Sequence, residues 1–437
     1  MKIPRRIAQT LINSLKGGVV PRVGLQYVTV GRTQEIDALL RDVEIITDGG
    51  ASFRFIVGKY GSGKSFLLQT IRNYVMAKNF VVLDADLSPE RRLQGTRGQG
   101  LATYKELVRN MSTKTKPEGG ALSLILDRWI SNVQQEVMVE SQLGMTDPAL
   151  TKLVEKKISS VIYSLNEMVH GFDFARLLTL YYQAHVSGDD ETKAKVLKWF
   201  RGEYNTKTEA RQELGVNIVI TDDDWYEYLK IFAAFLKQAG YAGMLVLIDE
   251  LVNIYKIPNA ITRQYNYEKI LTMYNDAMQG KAQHIGFILC GTPQCMEDPR
   301  RGVYSYEALR SRLAEGHFST EHKDLLSPVI RLLPLTNEEM LILIEKLADI
   351  HAGLYEYKQI VTQQDMVDFI EIEFSRIGAD THITPREVIR DFIEVLDIIY
   401  QNPGMKVRTL LGSESFTYAQ NAVNEETTHA EFAEFDL

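Results

Sequence analysis

Residues 58–65 read GKYGSGKS, set between a short apolar run, FRFIV at 53–57, and the apolar helix start FLLQTI at 66–71. This order constrains the fold more than any other feature of the chain, because it requires a buried strand to feed a helix through a glycine-rich turn. Gly58, Gly61 and Gly63 let the backbone curl so that its N–H groups point inward. Lys64 then reaches β- and γ-phosphates, and the Ser65 hydroxyl can hold Mg²⁺ at a helix N-terminus. Half of the motif's positions are free, so its flanks carry the reading. Gly58, Lys59, Tyr60, Gly61, Ser62, Gly63, Lys64, Ser65 and Phe66 are the expected contacts for ATP, with Mg²⁺ on Ser65.

A chain of 437 residues, 45% of them hydrophobic, can form two or three units with their own cores. Its two cysteines, Cys290 and Cys295, make neither a disulfide framework nor a zinc site, and read as buried or incidental thiols in a reducing cytoplasm. The N-terminus, MKIPRRIAQTLINSLKGG, has only a broken apolar stretch, and no run of 18 apolar residues occurs. The expectation is a cytoplasmic protein without membrane contact. A net charge of −8 argues against a protein that coats nucleic acid with its whole surface and is compatible with a local basic patch, so charge alone does not decide DNA binding.

Further apolar runs complete a set of buried strands: NFVVLDADL at 79–87, GMLVLIDEL at 243–251 and HIGFILCGTP at 284–293, separated by helical sequence. Parallel strands with helical crossovers satisfy this pattern. The 243–251 run has a Walker-B pattern. Asp249 is expected on the metal and Glu250 as the residue that polarises a water for attack on the γ-phosphate; the alternative is a buried strand ending in an acidic helix cap. Thr292 is a candidate γ-phosphate sensor or a cap on the next turn.

In VYSYEALRSRLAEGHF, 303–318, Arg310 and Arg312 lie on a helical pattern, either as arginines that reach a neighbouring subunit's nucleotide or as a solvated basic face. VIRLLPLTNEEM, 329–340, supplies a last strand and a Thr336–Glu339 capping box that marks a domain boundary. Helical sequence follows and includes HITPREVIRDFIEVLD, where Pro385 follows the capping Thr384 and Arg386 opens a helix from which it can swing onto phosphates.

These pieces in this order, with VGRTQEIDALL at 30–40 ahead of them, resemble the AAA+ ATPases from about residue 28 to 400. The resemblance implies an α/β fold, an AAA+ type three-layer P-loop NTPase core with a parallel sheet, a large helical insertion and a small helical lid domain. It implies a core at 28–335 after an N-terminal arm at 1–27, an insertion at about 118–235, a lid at 336–411 and an acidic disordered tail at 412–437. By position, Gly31 to Ile36 would lie near the nucleotide base, Arg310 or Arg312 would be an arginine finger, and Arg386 the second sensor. The chain departs from the family in placing Thr292 where many members have Asn, and in the insertion itself.

Residues 80–122, FVVLDADLSPERRLQGTRGQGLATYKELVRNMSTKTKPEGGAL, look like the BrxD-type ATP-binding proteins of bacteriophage exclusion (BREX) defence systems. Members are encoded beside a superfamily-2 helicase, so the resemblance implies an oligomeric ATPase subunit of a DNA-directed anti-phage complex, with DNA and a helicase or other defence protein as partners. A slow nucleotide-gated switch or scaffold with little DNA contact is the second reading, and a small-molecule phosphotransferase the third.

Three segments add less. Arg91, Arg92 and Arg97 sit in a glycine-rich loop after a strand end, either against phosphate of nucleotide or DNA or as an exposed basic turn. In the insertion, Trp129, Tyr181 and Tyr182 are expected in the core and the charged stretch 189–204 on the surface. The tail sets Phe432 and Phe435 among acids, as a solubilising terminus or a docking peptide.

Overall fold

The computed structural model describes residues 3–144, 147–165, 167–314, 324–376, 384–405 and 407–411; the expected tail at 412–437 lies outside them. In chain order the elements are α1 (Arg5–Lys16), α2 (Thr33–Thr47), β1 (Ala51–Val57), α3 (Lys64–Ala77), β2 (Phe80–Asp86), α4 (Gln99–Arg109), α5 (Leu122–Ser141), α6 (Pro148–Leu165), α7 (Gly171–Ser187), α8 (Asp190–Phe200), α9 (Lys207–Leu214) and α10 (Trp225–Gln238). They continue with β3 (Gly243–Asp249), α11 (Val252–Tyr255), α12 (Ala260–Met278), β4 (Ile285–Gly291), α13 (Pro293–Glu297), α14 (Glu307–Leu313), β5 (Val329–Arg331), α15 (Asn337–Tyr355), α16 (Gln363–Arg376), α17 (Pro385–Gln401) and α18 (Val407–Leu411).

The chain forms two compact units. One consists of Gln34–Lys59 and Thr70–Leu332 and holds a five-stranded sheet in the order β2-β3-β4-β1-β5, every pair parallel. This is the α/β architecture of a P-loop NTPase core. All of β3 and β4 is buried, as continuous apolar runs in a parallel sheet require. β1 starts two residues before the run FRFIV, at Ala51 and Ser52, and carries the charged Arg54 within that run. Arg54 is tolerated there because its guanidinium makes two bonds to the Asp42 carboxylate on α2, at 2.6 and 2.7 Å, and reaches the Leu326 carbonyl at 2.7 Å.

Helices α5 to α10 lie between β2 and β3, and bury Trp129, Tyr181 and Tyr182 in the same core as the sheet. The 189–204 stretch differs from its expectation. Its charges occupy one face of α8 and the adjoining turn, while Val196, Trp199, Phe200 and Tyr204 are buried, so charge content hid an amphipathic pattern.

The other unit consists of Met1–Thr33, Tyr60–Gln69 and Leu333–Leu437. Its core joins Leu11, Ile12 and Leu15 of α1 to Ile344 and Leu347 of α15 and to Phe392 and Leu396 of α17. Both capping boxes read from sequence, Thr336 with Glu339 and Thr384 with Glu387, are formed. Among the described residues, no helix is long and apolar enough to cross a membrane.

Candidate functional site

In the helical unit, the loop from Tyr60 runs into α3, whose hydrogen-bond ladder opens with the Leu67 amide on the Gly63 carbonyl at 2.9 Å. Gly61 and Gly63 take left-handed backbone angles, φ +74° and +88°, which any side chain would strain. Phe66 packs against the helical core, and Lys64 Nζ lies 5.7 Å from the centre of the exposed Tyr60 ring. Ser62 is buried, and its hydroxyl has no hydrogen-bond partner among the described residues.

Two neighbours hold this loop within the same unit. Arg32 Nη2 donates to the Ser62 carbonyl at 2.9 Å and to the Leu333 carbonyl at 2.7 Å, from a side chain that is itself buried. Thr384, at the start of α17, lies so near Gly61 that a Cβ there would stand 2.4 Å from Thr384 Cβ. That same helix start carries Arg386.

In the sheet unit, Gly58 follows β1 and its amide donates to the Gly291 carbonyl at 3.1 Å, so the beginning of GKYGSGKS lies beside the end of β4 and next to Thr292. The Thr292 hydroxyl accepts the Cys295 amide at 3.4 Å as the cap of α13. β3, the neighbour of β4, ends at Asp249. Glu250 then takes a left-handed φ of +62°, unusual for a residue with a side chain and worth about 1–2 kcal/mol of strain. The kink is held by the Glu250 amide on Asp249 Oδ1 at 2.8 Å and the Leu251 amide on the Cys290 carbonyl at 3.0 Å.

Asp86 was not singled out by the sequence reading. It ends β2 directly opposite Asp249 in register, and the alternation in LDADL is the signal that could have marked it. Its carboxyl is raised above the usual carboxylate range, first by desolvation and then by repulsion from Asp249, Asp84 and Glu250, with Arg91 opposing. Arg32 and Thr384 as supports of the loop were likewise not legible, because both contacts are long-range.

The remaining basic residues have defined surroundings. Arg310 pairs with Glu307 at 3.6 Å, while Arg312 bonds Asn275 Oδ1 at 3.1 Å and the Ala308 carbonyl at 2.7 Å; both are exposed on α14. Arg91 pairs with Glu106 at 3.6 Å, and Arg97 is exposed. The loop between them is fixed by the buried Asn266, whose Oδ1 accepts the amides of Leu93 and Gln94, each at 2.9 Å.

No curated protein matches this chain. The family model described as BREX system ATP-binding protein BrxC/D matches residues 3–415, nearly the whole of the chain. With that match spanning both units, the chain belongs to the BrxC/D family of ATP-binding proteins of the BREX phage-defence system.

Proposed function

We propose that this protein is an AAA+ ATPase that binds and hydrolyses ATP with Mg²⁺, works as an oligomer, and acts on or beside DNA with a helicase or another effector of its defence system. The observation that carries the nucleotide reading is the GKYGSGKS loop: left-handed glycines lead into α3, and the buried Ser62 hydroxyl has no partner among the described residues. Membership of an ATP-binding family supports the same reading.

In this reading the Gly58 amide stays on the Gly291 carbonyl while the amides of the loop beyond it, up to Phe66, cradle the phosphates, Lys64 reaches the β- and γ-phosphates, and Glu250 orients the attacking water. Thr292 senses the γ-phosphate through the hydroxyl proton that its cap leaves over, and Arg386 approaches the phosphates from the start of α17. Ser65 and Asp249 offer a hydroxyl and a carboxylate, hard oxygen donors of the kind Mg²⁺ takes. Mg²⁺ held there would supply positive charge to offset the charge that develops on the transferred phosphoryl group. Arg310 and Arg312, exposed on α14, are the candidates to reach a neighbouring subunit's nucleotide.

The test follows ATP turnover and particle mass together over a protein concentration series, with and without single- and double-stranded DNA. Turnover per chain that rises with concentration or DNA, alongside a larger particle, supports shared sites. A flat, slow rate from a constant monomer overturns the oligomeric and DNA-linked part. Lys64→Ala is expected to abolish nucleotide binding and Glu250→Gln to keep binding while blocking turnover; equal loss of binding in both rejects the assigned roles.

A further inference from the structure

The helical unit contains a polar chain that the nucleotide reading does not use. Lys16 Nζ, at the end of α1, lies 2.6 Å from Asp397 Oδ2 on α17; Asp397 Oδ1 lies 3.0 Å from His351 Nε2 on α15; and His351 Nδ1 lies 2.8 Å from the Tyr357 hydroxyl. His351 is fully buried, Asp397 mostly so and Lys16 half exposed, so the chain of bonds is a latch that ties three helices together from the interior of the unit out to its surface. Burial works against the Asp397 charge, yet the hydrogen bonds from His351 and Lys16 more than offset it and hold the carboxyl below its ordinary range.

Just past Lys16 the backbone turns at Gly18, φ +68°, with the Val19 amide returning to the Ser14 carbonyl at 2.9 Å. A Cβ on Gly18 would stand 3.5 Å from Arg386 Cδ and 3.8 Å from Cγ, so the stem of Arg386 rests on this turn. The same end of α17 abuts the GKYGSGKS loop at Gly61 through Thr384. α1 therefore braces the arginine at the point where its helix meets the loop.

We infer that Lys16 and Gly18 are positioning residues for Arg386. The latch sets where α1 lies along α17, and the Gly18 turn then limits the directions the Arg386 guanidinium can take. This rests on the reading of Arg386 as a phosphate-facing residue. Ala8, Leu11, Ile12 and Leu15 already bury α1 in the core, so the polar latch contributes orientation more than attachment.

The experiment is a double-mutant cycle on the full chain, with ATP affinity, turnover and unfolding midpoint measured for Lys16→Met, Lys16→Arg, Arg386→Ala and the double variant Lys16→Met/Arg386→Ala. Lys16→Met is expected to weaken ATP affinity about three- to tenfold with a nearly unchanged unfolding midpoint, and Lys16→Arg to restore most of it. In the Arg386→Ala background the Lys16→Met effect is expected to vanish. If Arg386→Ala weakens ATP affinity or turnover but Lys16→Met adds its full effect on top, Lys16 does not act through Arg386 and the inference fails while the role of Arg386 survives. A silent Arg386→Ala overturns both. A Lys16→Met effect that follows loss of folded protein overturns the positioning role.

Discussion

Gly61 and Gly63 share residue type, loop and left-handed backbone, yet their surroundings differ enough to separate backbone strain from steric conflict. An alanine at Gly63 meets nothing within 4 Å, so its cost is the conformational one, about 1–2 kcal/mol. At Gly61 the new Cβ would lie 2.4 Å from both Cβ and Cγ2 of Thr384 and 3.2 Å from its Cα. Carbon atoms settle at about 3.5–4.0 Å, so either the loop or the start of α17 must retreat by about 1 Å. Overpacking of this kind adds about 1–3 kcal/mol, which brings Gly61→Ala to about 2–5 kcal/mol in all. Chemical denaturation without nucleotide measures both variants free of any effect on ligand contacts. A Thr384→Gly background removes the two nearest carbons, at a helix-cap cost of roughly a few tenths of a kcal/mol, and most of the extra Gly61→Ala cost should then disappear. Equal costs at the two glycines, or an unchanged Gly61→Ala cost in the Thr384→Gly background, would refute the packing of α17 on the loop.

Three further outcomes follow from the geometry. Arg32→Met strips two carbonyls, of Ser62 and Leu333, of a charged donor and should cost about 3 kcal/mol, with ATP affinity falling as the loop loosens; unchanged stability would show that these bonds are not formed in solution. His351 is held below its ordinary 6.5, first by burial, so as pH falls below about 6.5 the unfolded chain takes the proton before the fold does and stability drops; His351→Gln should flatten that slope between pH 7 and 5, to which His284, lowered in the same way, contributes with the same sign. Asp86 is raised, so its charge opposes folding at neutral pH: Asp86→Asn should raise the unfolding midpoint at pH 7.5, with the gain shrinking as pH falls toward 3.8, and a lower midpoint at pH 7.5 would contradict the repulsion from Asp249 and Glu250.

Features that depend on neighbouring residues were legible in the sequence. A strand buried on both faces must be continuously apolar, so β1 to β4 could be read from their runs, although Arg54 shows that a charge is admitted where a partner such as Asp42 is buried with it. The caps at Thr336 and Thr384 close over three residues, and the glycine pattern of GKYGSGKS is local by nature. Periodicity, in contrast, states that a face is buried without stating against what. The stretch 189–204 shows how dense charge can also obscure which face that is.

By itself, the sequence determined that this chain has a parallel α/β core with a glycine-rich loop between strand and helix, and carboxylates at the end of a later strand, because each is a short-range pattern with few physical solutions. Only the tertiary structure decided that Asp86 faces Asp249, that α1 joins the C-terminal helices, and that Arg32 and Thr384 support the loop. Those contacts join residues far apart in the chain. Their formation depends on how whole elements pack, which no local pattern of side chains specifies.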